Sequence, residues 1–346
     1  MNKLELAKAI VNTLKSSEGV NTAVNANDYS FVETDSNINN SIIFLGLGGS
    51  YAYGTYLDGS DIDVRGIAMH SKRDQILSTG FDQVVDVKTD TTIYSLDKMV
   101  MLLANSNPNT IEILGIKPEH VIYADDIGRE LLKRKDMFLS KRCVNSFMGY
   151  ANQQLYRLQQ KSLVAMSEEE FNAHICRTLH FMTEELKNKY NMDGISFHLD
   201  SNKQIVLDLD LKDYSVEDLS NVLGVLNKTI RDYHKNSKRN EKALAHDKIA
   251  KHAMHLLRLY MMCEDILLNG EINTYRIKEH DLLMSIRNGD YLGYDGKPIS
   301  AFYDIVNEYN ARVAEAAKKS YLPDNPDQQK IDDFLVWAYE TVFDRT

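Results

Sequence analysis

The stretch Ser41–Ile67, SIIFLGLGGSYAYGTYLDGSDIDVRGI, joins two strand-like runs through a glycine-rich bend. Ile42, Ile43, Phe44 and Leu45 form a short apolar run of the kind that becomes a buried strand. Gly46, Gly48 and Gly49 end that run, and Gly49 lets the main chain approach a ligand closely. Ser50 is placed to cap a following helix, whose free N–H groups attract phosphate. After the Asp58-Gly59-Ser60 loop, a second strand is expected over Ile62–Met69. Its period of two puts Asp61 and Asp63 on one face and turns Ile62 into the core.

Two like charges held close together repel unless a cation sits between them. Hard oxygen ligands near a triphosphate suit magnesium, so the pair points to metal-assisted phosphoryl chemistry. A bare D-x-D also occurs as two solvated acids on an edge strand. Here, however, Gly49-Ser50 stands just upstream, with Ser50 eleven residues before Asp61. Gly-Ser, a spacer of about ten residues and then Asp-x-Asp on a strand resembles the signature of the DNA polymerase β-type nucleotidyltransferases. Gly49-Ser50 and Asp61-Ile62-Asp63 meet it without a gap.

The run Asp90–Leu114, DTTIYSLDKMVMLLANSNPNTIEIL, narrows the resemblance to a branch of predicted nucleotidyltransferases of bacteria and phages, some associated with RNA repair. FLSKRCVNSFMGYANQQLYRL at Phe138–Leu158 and KHAMHLLRL at Lys251–Leu259 resemble the same branch, and the likeness is weakest over residues 160–245. The resemblance implies a third carboxylate on a neighbouring strand, which helps hold one metal and draws the proton from the attacking hydroxyl. Asp90 is assigned that role, with Asp86 as the alternative because the strand register is open. Also implied are an NTP such as ATP as substrate, two Mg²⁺ ions (or Mn²⁺) held by Asp61, Asp63 and Asp90, and phosphate contacts from Gly49 and Ser50. The reaction would pass a nucleoside monophosphate to a hydroxyl and release pyrophosphate. RNA or tRNA is one acceptor; nucleotidylation of a protein or small molecule, and a non-catalytic nucleotide-binding module, are the alternatives.

At 346 residues the chain is long for one domain, and 43% apolar residues suffice to build two cores. A net charge of −10 argues against an unselective nucleic-acid coat, while leaving room for a local basic patch. Cys143, Cys176 and Cys263 lie far apart without C-x-x-C spacing, which fits a reducing cytosol. The N-terminus MNKLELAKAIVNTLK reads as an amphipathic helix, not a signal peptide, and no run approaches a membrane span. A soluble cytoplasmic protein is expected. Its fold class is α+β: a catalytic domain over 1–130, with a mixed sheet and flanking helices, and a mostly helical domain over 131–346 forming the other wall of a cleft.

In chain order, Leu4–Leu14 reads as a helix and residues 16–40 as irregular, with an extended piece near Tyr29–Val32. Val84–Val87 and Thr91–Tyr94 read as strands, Ser71–Asp82 as a polar connection, and Ser95 as the cap of a helix reaching Leu103. Helices are expected over Phe138–Gln160, Glu168–Tyr190, Val216–His234, Ala243–Leu268, His280–Arg287, Ala301–Ala317 and Lys330–Val342, the last with Trp337 in the core. Gln204–Leu209 alternates like a strand. Along Ala243–Leu268, Lys248, Lys251, His252, His255 and Arg258 recur at three- and four-residue steps as a basic surface stripe. By itself the stripe is equally a solvated face. The resemblance assigns Lys251, His252, His255 and Arg258 to the triphosphate tail. Arg157, Arg177 and His180 are read as solvated or capping residues.

Overall fold

The computed structural model describes residues 1–161 apart from 18, 21–22 and 39–40, then 176, 195–202, 204–209, scattered positions from 215 to 227, and 247–343 apart from 294–296. The expected helix Glu168–Tyr190, most of Val216–His234, and the start of Ala243–Leu268 lie outside these residues. The chain divides into two compact units. One comprises Met1–Gln153, Ala253–Tyr291 and Ile299–Thr346; the other comprises Gln154–His252 and Leu292–Pro298.

The first unit is built on a five-stranded mixed sheet: β1 (Ile42–Leu47), β2 (Val64–Ala68), β3 (Gln83–Asp86), β4 (Thr91–Ser95) and β5 (Val121–Ala124), in the order β3-β4-β2-β1-β5. β1 runs antiparallel to both β2 and β5, and β3 antiparallel to β4, while β2 and β4 are parallel. Alternation along the strands separates two faces. Leu45, Leu47, Val64, Ala68 and Ile93 join Leu6, Ile10 and Leu14 of helix α1 (Lys3–Ser17) in one buried cluster. The pairing of Gly46 with Arg65 puts Arg65 on the opposite face. Among the described residues, no helix is long and apolar enough to cross a membrane.

Several short elements depart from the sequence expectation. Residues 26–34, expected to include an extended piece, are helical: a 3₁₀ turn over Ala26–Tyr29 leads into α2 (Phe31–Thr34), and the Asn25 side chain accepts the Asn27 N–H to start it. The polar connection after β2 contains α4 (Lys72–Leu77), capped by Ser71, whose hydroxyl accepts from the Asp74 N–H. α3 is the five-residue helix Gly49–Tyr53. α5 (Leu96–Ala104) carries the expected cap, the Ser95 hydroxyl accepting from Lys98 N–H. α6 (Pro108–Ile111) continues as a 3₁₀ turn over Glu112–Gly115, and β5 leads to α7 (Asp126–Lys133).

α8 spans Arg142–Lys161 and α9 spans Asp247–Asn269. α10 (His280–Asn288), α11 (Ser300–Lys319) and α12 (Gln328–Phe343) complete the helices. Trp337 is half-buried rather than central, its ring 5.9 Å from Phe334 and 5.5 Å from the Arg134 guanidinium. In the second unit, β6 (Ile195–Leu199) and β7 (Ile205–Leu209) form an antiparallel pair, so the alternation at 204–209 is a strand. None of the three cysteines is in a disulfide, and Cys143 and Cys263 are buried.

Candidate active site

The glycine-rich bend is held to the acidic strand by its main chain. β1 and β2 pair up to Leu47 and Val64, and the Gly48 N–H then donates to the Asp63 carbonyl at 2.8 Å. Asp61, Ile62 and Asp63 thus stand just ahead of β2, not inside it, because the ladder begins at Val64. Ile62 still turns to the core cluster. The helix cap also differs from expectation: Gly48 caps α3, and Ser50 is its second residue, its carbonyl accepting the Thr55 N–H.

Gly49 carries the tightest constraint. Its φ of +54° favours glycine, and a Cβ built there would lie 1.5 Å from the Asp63 Oδ2. The missing side chain is therefore the space in which the Asp63 carboxylate sits. At its other end α3 stops at Gly54 (φ +71°), packed under the Tyr275 ring, and the His280 ring Nε2–H donates to the Gly54 carbonyl at 2.8 Å.

Asp90 arrives from the neighbouring strand. β2 and β4 are parallel with Val64 opposite Thr91, so Asp63 and Asp90 each stand one residue ahead of a paired position. Asp90 ends the β3–β4 turn in the left-handed region, φ 46°. Asp86 serves the turn itself. Its Oδ2 accepts from the Thr89 N–H at 2.9 Å and hydroxyl at 2.8 Å, which closes the connection between the strands.

Arg65 lies between the two acids. Its Nη2 is 3.7 Å from the Asp63 Oδ1 and its Nη1 is 3.8 Å from the Asp90 Oδ1. The same Nη1 donates to the main-chain carbonyls of Asp90 (2.6 Å) and Val64 (3.2 Å). Asp61 is exposed and joins Asp90 on the lining of an open groove of about 610 Å³, with Asp28, Tyr29, Val85, Val87 and Lys88. Burial, followed by the Asp28 and Asp86 charges, pushes the Tyr29 hydroxyl up to about 12, a sign of negative surroundings on this side of the sheet. Lys88 is already paired with Asp28 at 2.8 Å. Asp90 thus belongs to both groupings. Among the described residues no three His, Cys, Asp or Glu side chains form a ready-made metal cluster.

The expected basic stripe does not stay at the surface along its length, and the side chain of Lys248 lies outside the described residues. Lys251 is exposed and His252 and His255 are half-buried, but Arg258 is only 7% exposed. It lies over the Tyr53 ring of α3, 3.0 Å from the centroid, and its Nη2 donates to the His255 Nδ1 at 2.8 Å. α9 is enclosed on most sides, with Leu256, Leu257, Tyr260 and Met261 all buried, so Arg258 meets protein where the sequence pattern suggested solvent. Burial pushes the guanidinium down to about 9, against the pull of Glu112, and pushes the Glu112 carboxyl up to about 7, against the pull of Arg258.

Sequence reasoning overlooked Arg65, Tyr53, Glu112, Tyr275 and His280. Arg65 had a signal, since it follows Asp63 by two residues and shares its face. Contacts of Tyr275 and His280 with α3 span more than 220 residues and had none.

No curated relative and no solved structure matches the chain. A family model does match residues 21–189, a span that takes in the Gly49-Ser50 turn, Asp61, Asp63, Arg65 and Asp90. Through those residues the chain is similar to the RNA repair pathway DNA polymerase beta family, which supports a polymerase β-type nucleotidyltransferase related to RNA repair.

Proposed function

We propose that the chain transfers a nucleoside monophosphate from an NTP to a hydroxyl group, with RNA as the acceptor class. The observation that carries this reading is the seating of the Asp63 carboxylate in the space left by Gly49, with Asp90 alongside through the parallel β2–β4 pair. A phosphate-approaching turn and two acids are thereby joined as one rigid object. The description of the family as an RNA repair pathway polymerase supports RNA over a protein or small-molecule acceptor.

The donor set suits a hard divalent cation, and the Arg65 guanidinium already stands as a positive charge against two of its members. Asp61, Asp63 and Asp90 would hold Mg²⁺ or Mn²⁺, which when bound supplies charge neutralisation and a more acidic hydroxyl. In the step itself the acceptor oxygen bonds to the α-phosphorus, the bond from that phosphorus to the bridging oxygen breaks, and pyrophosphate leaves with the electron pair. Asp90, exposed at the groove, takes the hydroxyl proton. Gly49 and Ser50 present main-chain N–H and hydroxyl groups to phosphate oxygens. Arg258 and His255 act behind α3 by holding Tyr53. The assignment of Lys251 and His252 to the triphosphate rests on the sequence resemblance alone.

The test is incubation with each of four α-labelled NTPs, Mg²⁺, and either tRNA or cell lysate. Label in RNA together with pyrophosphate release, both lost in Asp63→Asn, is the expected result. Label in protein would replace the acceptor, and nucleotide binding without pyrophosphate from any pool would overturn the transferase.

A further inference from the structure

α3 is only five residues long, and helices shorter than about 12 residues do not hold their own shape in water. Its position is therefore imposed by what it touches. At the Gly54 end that is the segment 272–280, which is itself tightly seated. Thr274 is fully buried; its hydroxyl donates to the Glu112 carbonyl at 2.6 Å and its N–H to the Gly115 carbonyl at 3.3 Å. Gly115 admits the segment, since a Cβ there would lie 2.1 Å from the Ile272 carbonyl oxygen. The Arg276 side chain, 4% exposed, pairs with Asp265 at 2.9 Å and Glu279 at 3.2 Å. From this base the Tyr275 ring closes on Gly54, where a Cβ would lie 2.3 Å from it, and the Lys117 ammonium stands 3.2 Å from the ring centre. His280 then takes the Gly54 carbonyl, at 2.8 Å. Its side chain is 37% exposed, so water can replace this one bond with little loss of stability.

Resting on the transferase reading above, we propose that His280 is a positioning residue for the nucleotide. By holding the Gly54 carbonyl it fixes where α3 carries Gly49 and Ser50, and so fixes the seat of the triphosphate. The groove that opens at Asp61 and Asp90 is built from other elements, namely the 23–29 segment and the β3–β4 turn. Loss of the bond accordingly falls on the nucleotide and not on the acceptor.

Anisotropy of a fluorescent, non-hydrolysable NTP in the presence of Mg²⁺, together with separate KM values for NTP and RNA, tests this. His280→Ala should weaken nucleotide binding and raise the NTP KM about tenfold, with the RNA KM within about twofold of the parent protein. Its melting temperature should stay within about 4 °C. His280→Gln, whose amide N–H can still donate to the Gly54 carbonyl, should bring binding and the NTP KM back to within about threefold of the parent values. Parent-like nucleotide binding by His280→Ala overturns the proposal. So does an equal rise in both KM values that His280→Gln fails to reverse, the mark of a merely structural role. If His280→Ala is not folded, His280→Asn, whose shorter amide stops short of the carbonyl, decides by the same criteria. Parent protein that binds the nucleotide yet releases no pyrophosphate leaves the binding test standing and refutes the transferase reading instead; parent protein that binds none refutes both.

Discussion

Arg65 packs beside Gly48 at the start of α3 and Arg258 lies over Tyr53 at its end, and they meet opposite surroundings. Arg65 has a quarter of its side chain exposed and faces carboxylates at 3.7 and 3.8 Å. Arg258 is 7% exposed, placed over the Tyr53 ring and bonded to His255. An ion pair that water can reach contributes about 0–1 kcal/mol, whereas a buried one broken on one side costs about 3–5 kcal/mol. The contrast assigns the two arginines different duties: the buried one belongs to the architecture that holds α3, and the exposed one can alter the chemistry of its neighbours without deciding whether the protein folds.

Replacing Arg258 tests the architectural half most severely. Arg258→Ala leaves Glu112 without its opposing charge and Tyr53 without its stacking partner, and should cost about 3 kcal/mol of stability, read from denaturant melts. A loss below about 1 kcal/mol would erase the distinction between the arginines. Gly49→Ala comes next. It forces a Cβ onto the Asp63 Oδ2 at a positive φ, and should cost about 1–3 kcal/mol and lower nucleotide transfer at least about a hundredfold. Circular dichroism would show whether the turn shifted locally or the sheet was lost.

Glu112 supplies a pH test of the buried side. Burial raises its folded pKa to about 7, above the ordinary 4.5, so the folded chain holds the proton more tightly than the unfolded one. Its contribution to stability is fully present below 4.5, declines as pH rises, and is lost once pH passes through about 7. Glu112→Gln cannot titrate, so the stability of the parent protein relative to it should fall across that window and level off above it. A flat difference between pH 4.5 and 7 would show that Glu112 ionises normally. The smallest effect is expected from Arg65→Ala, a stability change within about 1 kcal/mol. A larger loss would make Arg65 part of the architecture as well.

Residues near in sequence carried most of what could be read in advance. β1 follows from Ile42–Leu45, the α5 cap from Ser95, and the link between bend and acids from Gly49-Ser50 with Asp61 and Asp63. β5 and α7 escaped notice because Val121–Ala124 is only four residues long, partly exposed, and joined to a helix that begins two residues later. The 3₁₀ turn and α2 escaped for another reason. An asparagine cap and a few contacts with the core, Tyr29 and Val32 among them, override a composition that reads as loop.

The one-dimensional order of residues was sufficient for the chemistry on offer: acids two apart, and a glycine where main chain must come close. Those relations depend on local geometry, which repeats wherever the chain adopts a strand or a bend. Tertiary structure alone decided which acid stands beside which, that Asp86 closes a turn while Asp90 reaches the groove, and that Arg258 looks inward. Pairing register and burial arise from the meeting of segments far apart in the chain, and no spacing within one segment encodes them.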